Sequence, residues 1–526
     1  IARLIGNGAR ASLRTTFPPI TAVAWSSFMT GKNPGKHGIF EFTRKGRDSQ
    51  RELAVNASFR EGQAIWDLLG AAGKRVIVHN FPCTYPPAPV NGVLIADFMT
   101  PRGRRDFTYP QSILEEIESE FGPYRLHLSQ TYTGGGAEAV IDELFDELEY
   151  KARVAPYLME RYDWDGFFQY FWGTDRIQHE LWHLIDETHP RHDHQESERF
   201  RGRVFDYFKR TDEVIGSLVD LAGDESLVCI ASDHGFGPAH KYCSFNIWLL
   251  EEGFLKLKGD ALTRLKKFCF DLGLTPEAAF KMVKRLPLGG LRPARGVSNQ
   301  AGASKLLGTL FLSFGDVDWE RTVAFSKGNY GQIYVNLKGR EPFGSVEPER
   351  YDSVCDAITD RLRAIVVPET GRPLIGEVFR REQIYNGPRV SDAPDIAFLP
   401  ADMSYLPLGN ADFTSNRFIV DAFGISGCHR MDGILTLTGG PVKKGFDAGV
   451  AQIYDVAPTL LYLMGHVVPD DMDGRLLTEV IAEHHLSASA VRYTAGASGT
   501  GKSEVEYSDE ENAEIIESLK NLGYMG

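Results

Sequence analysis

Residue types that bind divalent metal ions recur along this chain, and long stretches of other sequence separate them. A threonine follows two prolines in PPITAVAW, an aspartate precedes a histidine by four residues in GTDRIQH, and another aspartate adjoins a histidine in ASDHGFG. A further histidine lies in SGCHRMDG. Such a set can hold two divalent metals and one activated hydroxyl, which suits attack on phosphorus. The candidate residues are Thr21, Asp175, His179, Asp233, His234 and His429.

Considered alone, each candidate also has an ordinary structural explanation. Thr21 precedes a predicted helix over Ala24–Met29, where a hydroxyl could meet an anion, but most threonines at such positions are N-caps. Asp175 and His179 have the i, i+4 spacing that puts both on one helical face. They could share a metal there, or they could simply begin a polar helix.

The remaining candidates lie next to predicted strands. Asp233 and His234 directly follow LVCIAS, a buried-strand pattern, and Gly235 permits a tight turn. A simple turn between a strand and a helix is the alternative. His429 is predicted to lie in a glycine-flanked loop before the strand GILTLTGG, and a single loop histidine usually has no function. The case for a site therefore depends on all six residues together.

Apolar, β-branched segments alternate with helical patterns along most of the chain. This alternation predicts an α/β fold with a mostly parallel central sheet, helices on both faces, and a site at the carboxyl ends of the strands. We predict strands at 75–79, 166–171, 226–232, 332–336, 395–399 and 433–438, and helices at 63–72, 139–162, 202–222 and 351–363.

Two segments interrupt this alternation. Residues 101–137 are rich in loops, whereas residues 255–320 are helical and basic. We interpret 255–320 as an inserted cap over the site; a solvated basic face is an equally good interpretation, and docking to an anionic membrane surface is another. The predicted organisation is a catalytic core at 1–254 and 321–484, a cap at 255–320, and a polar tail at 485–526 that ends in a short acidic helix at 509–522.

Composition narrows the classes of function. The 526 residues have a formal charge of −14 and a pI near 5.5, which disfavours binding to a nucleic acid polymer because such binding needs many Lys and Arg contacts. No apolar run approaches the ~20 residues that span a bilayer. The six cysteines include no C-x-x-C pair, so neither a zinc ribbon nor a disulfide framework is indicated. We predict a cytoplasmic protein, and the sequence does not indicate an oligomeric state.

In order and context, the motifs resemble those of the type I phosphodiesterase/nucleotide pyrophosphatase branch of the alkaline phosphatase superfamily. The resemblance extends over roughly residues 1–480 and is strongest to bacterial and archaeal proteins described as predicted phosphohydrolases or phosphomutases. It implies a three-layer α/β/α sandwich with inserted cap segments. The matching motifs are T-x-x-x-W-S-S-F-M-T-G-K-N-P-G-K-H-G-I, D-x-x-x-H, S-D-H-G, G-x-H-R-x-D-G-I-L, IYVNLKGREPFG, YDVAPTLLYLMG and PDDMDGRLL.

The resemblance also implies roles for the candidates. Thr21 would be the nucleophile, forming a phosphothreonine intermediate, and the substrate would be a small phosphate ester. The metals would be two zinc ions, or manganese as in the mutase relatives. Asp175, His179 and His429 would hold one metal; Thr21, Asp233 and His234 would hold the other, with an aspartate from a first strand expected upstream of Ile1.

One position departs from the family pattern. Diesterase relatives often have an asparagine three residues after H-G-I, where its amide contacts a phosphate oxygen, but this chain has Phe42 there. Another donor is then needed, or the substrate differs, so cleavage of a diester, cleavage of a monoester and a mutase reaction all stay open. Candidate donors near the motifs are Lys32, Lys241, Lys327 and Arg430.

Other motifs suggest different functions. HELWH, residues 179–183, matches the H-E-x-x-H motif of zinc peptidases, with Glu180 as base and His189 as a third ligand, although Asp186 replaces the expected glycine. GASGTGKS, residues 496–503, matches a P-loop, but the polar sequence before it favours a flexible linker. A binding protein that keeps the fold without turnover is the non-enzymatic alternative. A sulfatase is disfavoured because TAVAW lacks the C/S-x-P-x-R pattern.

Overall fold

The computed structural model describes residues 1–45, 52–132, 136–276, 278, 310–409, 413–496, 504–522 and 524. The chain divides into two compact units. Residues 279–309, nearly half of the predicted cap, and most of the P-loop match, 497–503, lie outside the described residues. The proposed domain boundaries stay predictions. The first unit comprises Ile1–Pro238, Tyr385–Ala393 and Gly424–Leu522, and the second comprises Ala239–Ile384, Pro394–Phe423 and Gly523–Gly526.

One four-stranded sheet of the first unit is assembled from distant parts of the sequence. Gly8–Arg14 lies between Phe446–Gln452, which runs parallel to it, and Asp432–Thr438, which runs antiparallel. Val228–Ala231 pairs antiparallel with Asp432–Thr438 on the other side. The alternating sequence pattern predicts direction only for consecutive βαβ units, so the antiparallel pairs between these distant strands could not be predicted from it.

A second four-stranded sheet of the first unit is mainly parallel. Val76–His79 pairs in parallel with both Gly92–Ile95 and Gly166–Gln169, and Thr108–Tyr109 adds an antiparallel edge strand. Val76–His79 is buried along its whole length, as expected for a β-branched strand covered on both faces. The predicted α/β class is confirmed.

Three long amphipathic helices of the first unit pack together: Ala137–Arg161, Gly173–Ile185 and His194–Ala222. The last begins earlier than predicted because the Asp193 side chain accepts a hydrogen bond from Glu196 N and caps the helix at that point. The other helices are Ala2–Asn7, Thr21–Thr30, Pro34–His37, Ile65–Ala71, Ser112–Phe121, Val456–Leu463, Glu483–Ala488 and Asp509–Asn521, and the short strands are Thr43–Lys45, Glu52–Ala54, Gly235–Pro238, Gly427–Arg430, Val468–Pro469 and Tyr493–Thr494.

The second unit has its own apolar core, in which Phe245, Ile333 and Phe398 are fully buried. Two sheets surround this core, one of four strands and one of three. The strands are Lys241–Ser244, Ala324–Ser326, Gln332–Val335, Ile375–Arg380, Ile396–Pro400, Tyr405–Leu408 and Ile419–Asp421, and the helices are Phe245–Glu251, Ala261–Asp271, Tyr351–Arg363 and Arg381–Ile384. Over the described part of the chain, no helix is both long and apolar enough to cross a membrane.

Candidate active site

Thr21 is the first residue of a fully buried helix, Thr21–Thr30, which we call the Thr21 helix. The N-cap is Ile20, and no side chain makes a capping hydrogen bond. The Thr21 hydroxyl is therefore not used as a cap, which removes the ordinary explanation for this residue. The N-terminus of a helix presents backbone N–H groups and the positive end of the helix dipole, so an anion can bind next to the hydroxyl.

Asp175 and His179 lie in the first half of the helix Gly173–Ile185, which we call the Asp175 helix. This helix follows the strand Gly166–Gln169, so the end of a parallel strand delivers both side chains. They face the same way, as their spacing predicts: Asp175 Oδ1 lies 3.7 Å from His179 Nε2, and both residues are buried. The pair can therefore contribute to one binding centre.

Asp233 and His234 occupy the turn between the strands Val228–Ala231 and Gly235–Pro238. The prediction of a loop around His429 is wrong, because His429 lies in the strand Gly427–Arg430. This strand pairs antiparallel with Gly235–Pro238, and the pairing brings the rings of His234 and His429 into a stack with 3.5 Å between their centroids.

All six candidates converge in the first unit. Asp175 Oδ1 lies 3.5 Å from His429 Nε2 and 3.7 Å from His234 Nε2. His234 Nε2 in turn lies 3.4 Å from Thr21 Oγ1 and 3.3 Å from Asp233 Oδ2. Ligand atoms of Asp175, His234 and His429 all lie within 4.8 Å of one another, close enough to share a metal ion.

The three histidines present the same nitrogen to this centre. Each Nδ1 lies against a backbone carbonyl oxygen, which can only accept a hydrogen bond, so each Nδ1 has a proton, and Nε2 is the nitrogen that a neutral ring would offer to a metal. Nε2 of His179 and Nε2 of His429 are 2.8 Å apart. The Nδ1 acceptors are Gly427 O for His179 (2.9 Å), Pro19 O for His429 (2.6 Å) and Gly235 O for His234 (3.1 Å).

The electrostatics of the centre also fit a cation. Burial, followed by the charge of Asp175, raises the pKa of Asp233 to about 8. Burial acts in the same direction on Asp175, but the surrounding histidines hold the pKa of that carboxyl well below its usual range. Burial lowers the pKa of His179 to about 4 and that of His234 well below its usual value. In the described part of the chain no hydrogen-bond donor reaches Asp233 Oδ2, and a metal would satisfy it.

Residues 1–417 match the model of the family described as type I phosphodiesterase / nucleotide pyrophosphatase. The chain belongs to this family. It is therefore a phosphoric ester hydrolase, as the motifs predicted, and the His/Asp cluster described above is where a metal could bind. No curated protein matches the chain.

Several solved structures resemble the chain at low identity. Human ectonucleotide pyrophosphatase / phosphodiesterase 5 is 12% identical, with 91% of this chain and 93% of that chain covered and a TM-score of 0.47. Phosphonoacetate hydrolase from Sinorhizobium meliloti 1021 is 12% identical, with 88% of each chain covered and a TM-score of 0.49. The alkaline phosphatase PafA is 16% identical, with 91% and 94% covered and a TM-score of 0.47. The family assignment depends on the family match, not on these likenesses.

The residues proposed to contact substrate have other partners in the structure. Lys32, which is buried, forms an ion pair with the partly exposed Asp471. Side chains alternate along a strand, so Arg430 lies on the other side of the strand from His429. There its guanidinium donates to Pro238 O (2.6 Å) and Cys428 O (3.2 Å). Lys241 and Lys327 belong to the second unit, where Lys241 pairs with Asp421 at 2.7 Å. Contact of these four residues with substrate stays a prediction.

The peptidase motif HELWH has a different role in this fold. The helix is irregular at Leu181 (φ −124°, ψ 16°), between the two histidines of the motif. Glu180 forms an ion pair with Arg176 at 3.0 Å and accepts a hydrogen bond from Tyr132 N at 2.9 Å. His179 turns instead toward His429. This phosphoric ester hydrolase therefore has the H-E-x-x-H sequence of zinc peptidases but not the geometry of their site.

Some functional contacts could not be found from side-chain patterns. The carbonyl groups that orient the three histidines are backbone atoms, and only the glycine in G-x-H-R hints at one of them. The K-H-G-I motif has a supporting role: His37 Nδ1 accepts from Ile39 N (3.2 Å), so Nε2 donates to Ser27 Oγ (2.8 Å). His37 thereby joins the H-G-I turn to the Thr21 helix, and burial lowers its pKa to about 3.

Proposed function

We propose that this protein is a phosphodiesterase that uses Thr21 as its nucleophile and two divalent metal ions, with zinc the first candidate and manganese the second. One observation supports it above all: the Nε2 atoms of three histidines and two buried carboxyl groups meet beside the Thr21 hydroxyl, at the start of a buried helix. Donors of this kind suit zinc. The family match supports the same chemistry independently.

The ligands would divide between the two ions as the motifs suggest. Asp175, His179 and His429 would hold one ion, and Asp233, His234 and the Thr21 hydroxyl would hold the other. When bound, the ions would supply positive charge that favours ionisation of the hydroxyl and offsets the charge of the phosphoryl oxygens. The bonds from each Nδ1 to a carbonyl keep the three rings oriented before any ion arrives.

The reaction would proceed in two displacements at phosphorus. Thr21 gives its hydroxyl proton to solvent and Oγ attacks in line, so the Oγ–P bond forms as the bond from phosphorus to the leaving oxygen breaks, and that oxygen takes a proton from solvent. The intermediate is a phosphothreonine that keeps the second ester group of the substrate. A water molecule then attacks its phosphorus, the Oγ–P bond breaks, and one proton of the water passes to Thr21 Oγ, so that a phosphate monoester is the product. Backbone N–H groups in the first turn of the Thr21 helix would stabilise the phosphoryl oxygens during both steps.

Charge at the site favours a diester over a monoester. A monoester has up to two negative charges near neutral pH, whereas a diester has one. Lys32 and Arg430, the cationic candidates in the first unit, are bonded to Asp471 and to backbone carbonyls. Because these positively charged side chains already have partners, the site suits the less charged substrate, the diester.

Paired hydrolysis of bis-nitrophenyl phosphate and nitrophenyl phosphate tests the proposal, with zinc or manganese added and Thr21→Ala as the control. Faster cleavage of the diester, lost in Thr21→Ala, is the expected result. Faster cleavage of the monoester would move the protein to the phosphatases or phosphomutases on the same site. Two bound metals without cleavage of either substrate would indicate a narrow substrate or a binding role.

A reducing compartment is a further part of this proposal. All six cysteines are free thiols in the structure, as they would be in the cytoplasm. Alkylation of the native protein after purification under oxidising and reducing conditions would test this. Equal thiol counts are expected, and thiols that disappear without reductant would contradict it.

A further inference from the structure

The Asp175 helix has a second buried polar face, about 100° around the helix from the ligands. Arg176 and Glu180 each follow a candidate ligand by one residue, so they point away from the centre. Their side chains form an ion pair at 3.0 Å and are 1% and 3% exposed. Taking two charges out of water is costly, and an apolar pair would often be at least as stable. Stability alone therefore does not explain why this buried ion pair is present.

Arg176 and Glu180 hold two other parts of the chain against this helix. Arg176 donates to Leu522 O at 3.1 Å and to Gln130 O at 3.3 Å. Glu180 accepts a hydrogen bond from Tyr132 N at 2.9 Å. The planar guanidinium suits this task, because its N–H groups can meet separate acceptors in fixed directions. The helix is thus fixed in rotation by one segment before it in the sequence and by another close to the C-terminus.

The C-terminal contact belongs to a longer segment, residues 504–522, which we call the C-terminal strap. Tyr507 is buried and donates through its hydroxyl to Met99 O at 3.2 Å. The Asn512 side chain accepts a hydrogen bond from Ala54 N at 2.7 Å and donates one to Glu52 O at 2.8 Å. It thus bonds to the strand Glu52–Ala54 as the backbone of a neighbouring strand would. The apolar side of the helix Asp509–Asn521 is also buried, through Ile515, Leu519 and, just beyond the helix, Leu522.

We infer that the C-terminal strap positions the metal ligands, acting through Leu522 O, Arg176 and the rotation of the Asp175 helix. Arg176 and Asp175 are adjacent on one rigid helix, so a rotation that moves one moves the other. A turn of about 10° displaces an atom ~6 Å from the axis by about 1 Å, which exceeds the ~0.5 Å tolerance of a preorganised site. The inference rests on the proposed function only in that these ligands bind a metal.

Metal affinity is the readout that tests this, measured for zinc and for manganese by competition with a chelating dye. Leu519→Ala loosens the strap at a distance from the site, and the double variant Arg176→Met/Glu180→Leu removes the link without leaving an unpaired charge. Each should weaken binding about tenfold or more, in the range of losses seen for residues that support metal ligands. Hydrogen exchange should quicken at residues 173–185 in both.

The mechanism requires that the two changes are not additive. If the strap acts through Arg176, then Leu519→Ala should weaken binding little further once the double variant is present. The matched control is Lys266→Met/Asp316→Leu, which removes a buried ion pair of 3.0 Å in the second unit and should leave metal affinity unchanged.

Two results would overturn the inference: unchanged metal affinity in Leu519→Ala despite a lower melting temperature, or losses that multiply in the combined variant. Failure of the proposed function would look different. In that case the unaltered protein would bind neither metal, and Asp175→Ala would change nothing.

Discussion

Metal binding by this protein should release close to one proton at pH 7, and Asp233 should supply it. Burial, helped by the charge of Asp175, raises the pKa of the Asp233 carboxyl to about 8 in the metal-free protein. At pH 7 that carboxyl is about nine-tenths protonated, and it must lose the proton to become a ligand. His179, whose pKa is about 4, is already neutral and has none to lose. We expect about 0.9 proton released at pH 7 and about 0.1 at pH 9.

The same pKa fixes the sign of the pH dependence. A raised pKa means that protons compete with the metal, so affinity is fully developed above pH 8 and falls as the pH is lowered through that value. The fall should be about tenfold per pH unit, or about 1.4 kcal/mol. Titration calorimetry in two buffers of different ionisation enthalpy measures the protons directly.

Two variants separate the sources of the proton. Asp233→Asn should abolish the release attributed to the carboxyl, whereas Thr21→Ala should keep it, because the hydroxyl is a different acid. A release that does not vary between pH 6.5 and pH 9, or one whose fall over that range survives in Asp233→Asn, would refute the reasoning.

Three further predictions follow from the same geometry. Thr21→Ala should lower phosphodiester hydrolysis by at least about a thousandfold while two metals still bind. Thr21→Ser should keep measurable activity, since it retains a hydroxyl; equal loss in both variants would count against nucleophilic attack by Thr21. Burial, followed by the charge of Lys151, lowers the pKa of His79 to about 3. The free energy of unfolding should therefore be highest above the unfolded pKa of ~6.5 and should fall by about 2 kcal/mol between pH 7 and pH 5. Urea unfolding measures this, and the free energy of unfolding of His79→Gln should depend less steeply on pH. A Cβ added at Gly427 would lie 2.4 Å from Gln178 O on the Asp175 helix, so Gly427→Ala should displace the neighbouring His429 and weaken zinc binding at least about tenfold; unchanged affinity would contradict this placement.

The sequence predicted well those features that depend on local pattern. The helix Tyr351–Arg363 has the predicted bounds because its apolar positions recur with helical spacing. The pairing of Asp175 with His179 likewise followed from spacing on one helix. A helix was also predicted over Ala24–Met29, but the observed helix already begins at Thr21. Only the structure shows that Ile20 is the N-cap, which leaves the Thr21 hydroxyl available.

Features that depend on distant partners could not be predicted. GCHRMDG has no alternating apolar pattern, so the strand containing His429 is recognisable only through its pairing with Gly235–Pro238. Backbone carbonyls have no sequence signature, which hides the groups that orient the three histidines. The last residues were predicted only as a polar tail with a short acidic helix, yet Tyr507 and Asn512 are buried. Their partners are distant in the sequence: Tyr507 donates to Met99 O, and Asn512 bonds to the edge strand Glu52–Ala54.

The most direct test of the central claim is to trap the covalent intermediate on Thr21. The metal-loaded protein would be mixed with excess bis-nitrophenyl phosphate, quenched in acid during turnover, digested and sequenced by mass spectrometry. We expect a nitrophenyl phosphoryl ester on the hydroxyl of Thr21, in proportion to the burst of nitrophenol and absent from Thr21→Ala. Steady turnover and a burst of nitrophenol with the phosphoryl group on another residue would contradict the assignment of Thr21 as the nucleophile.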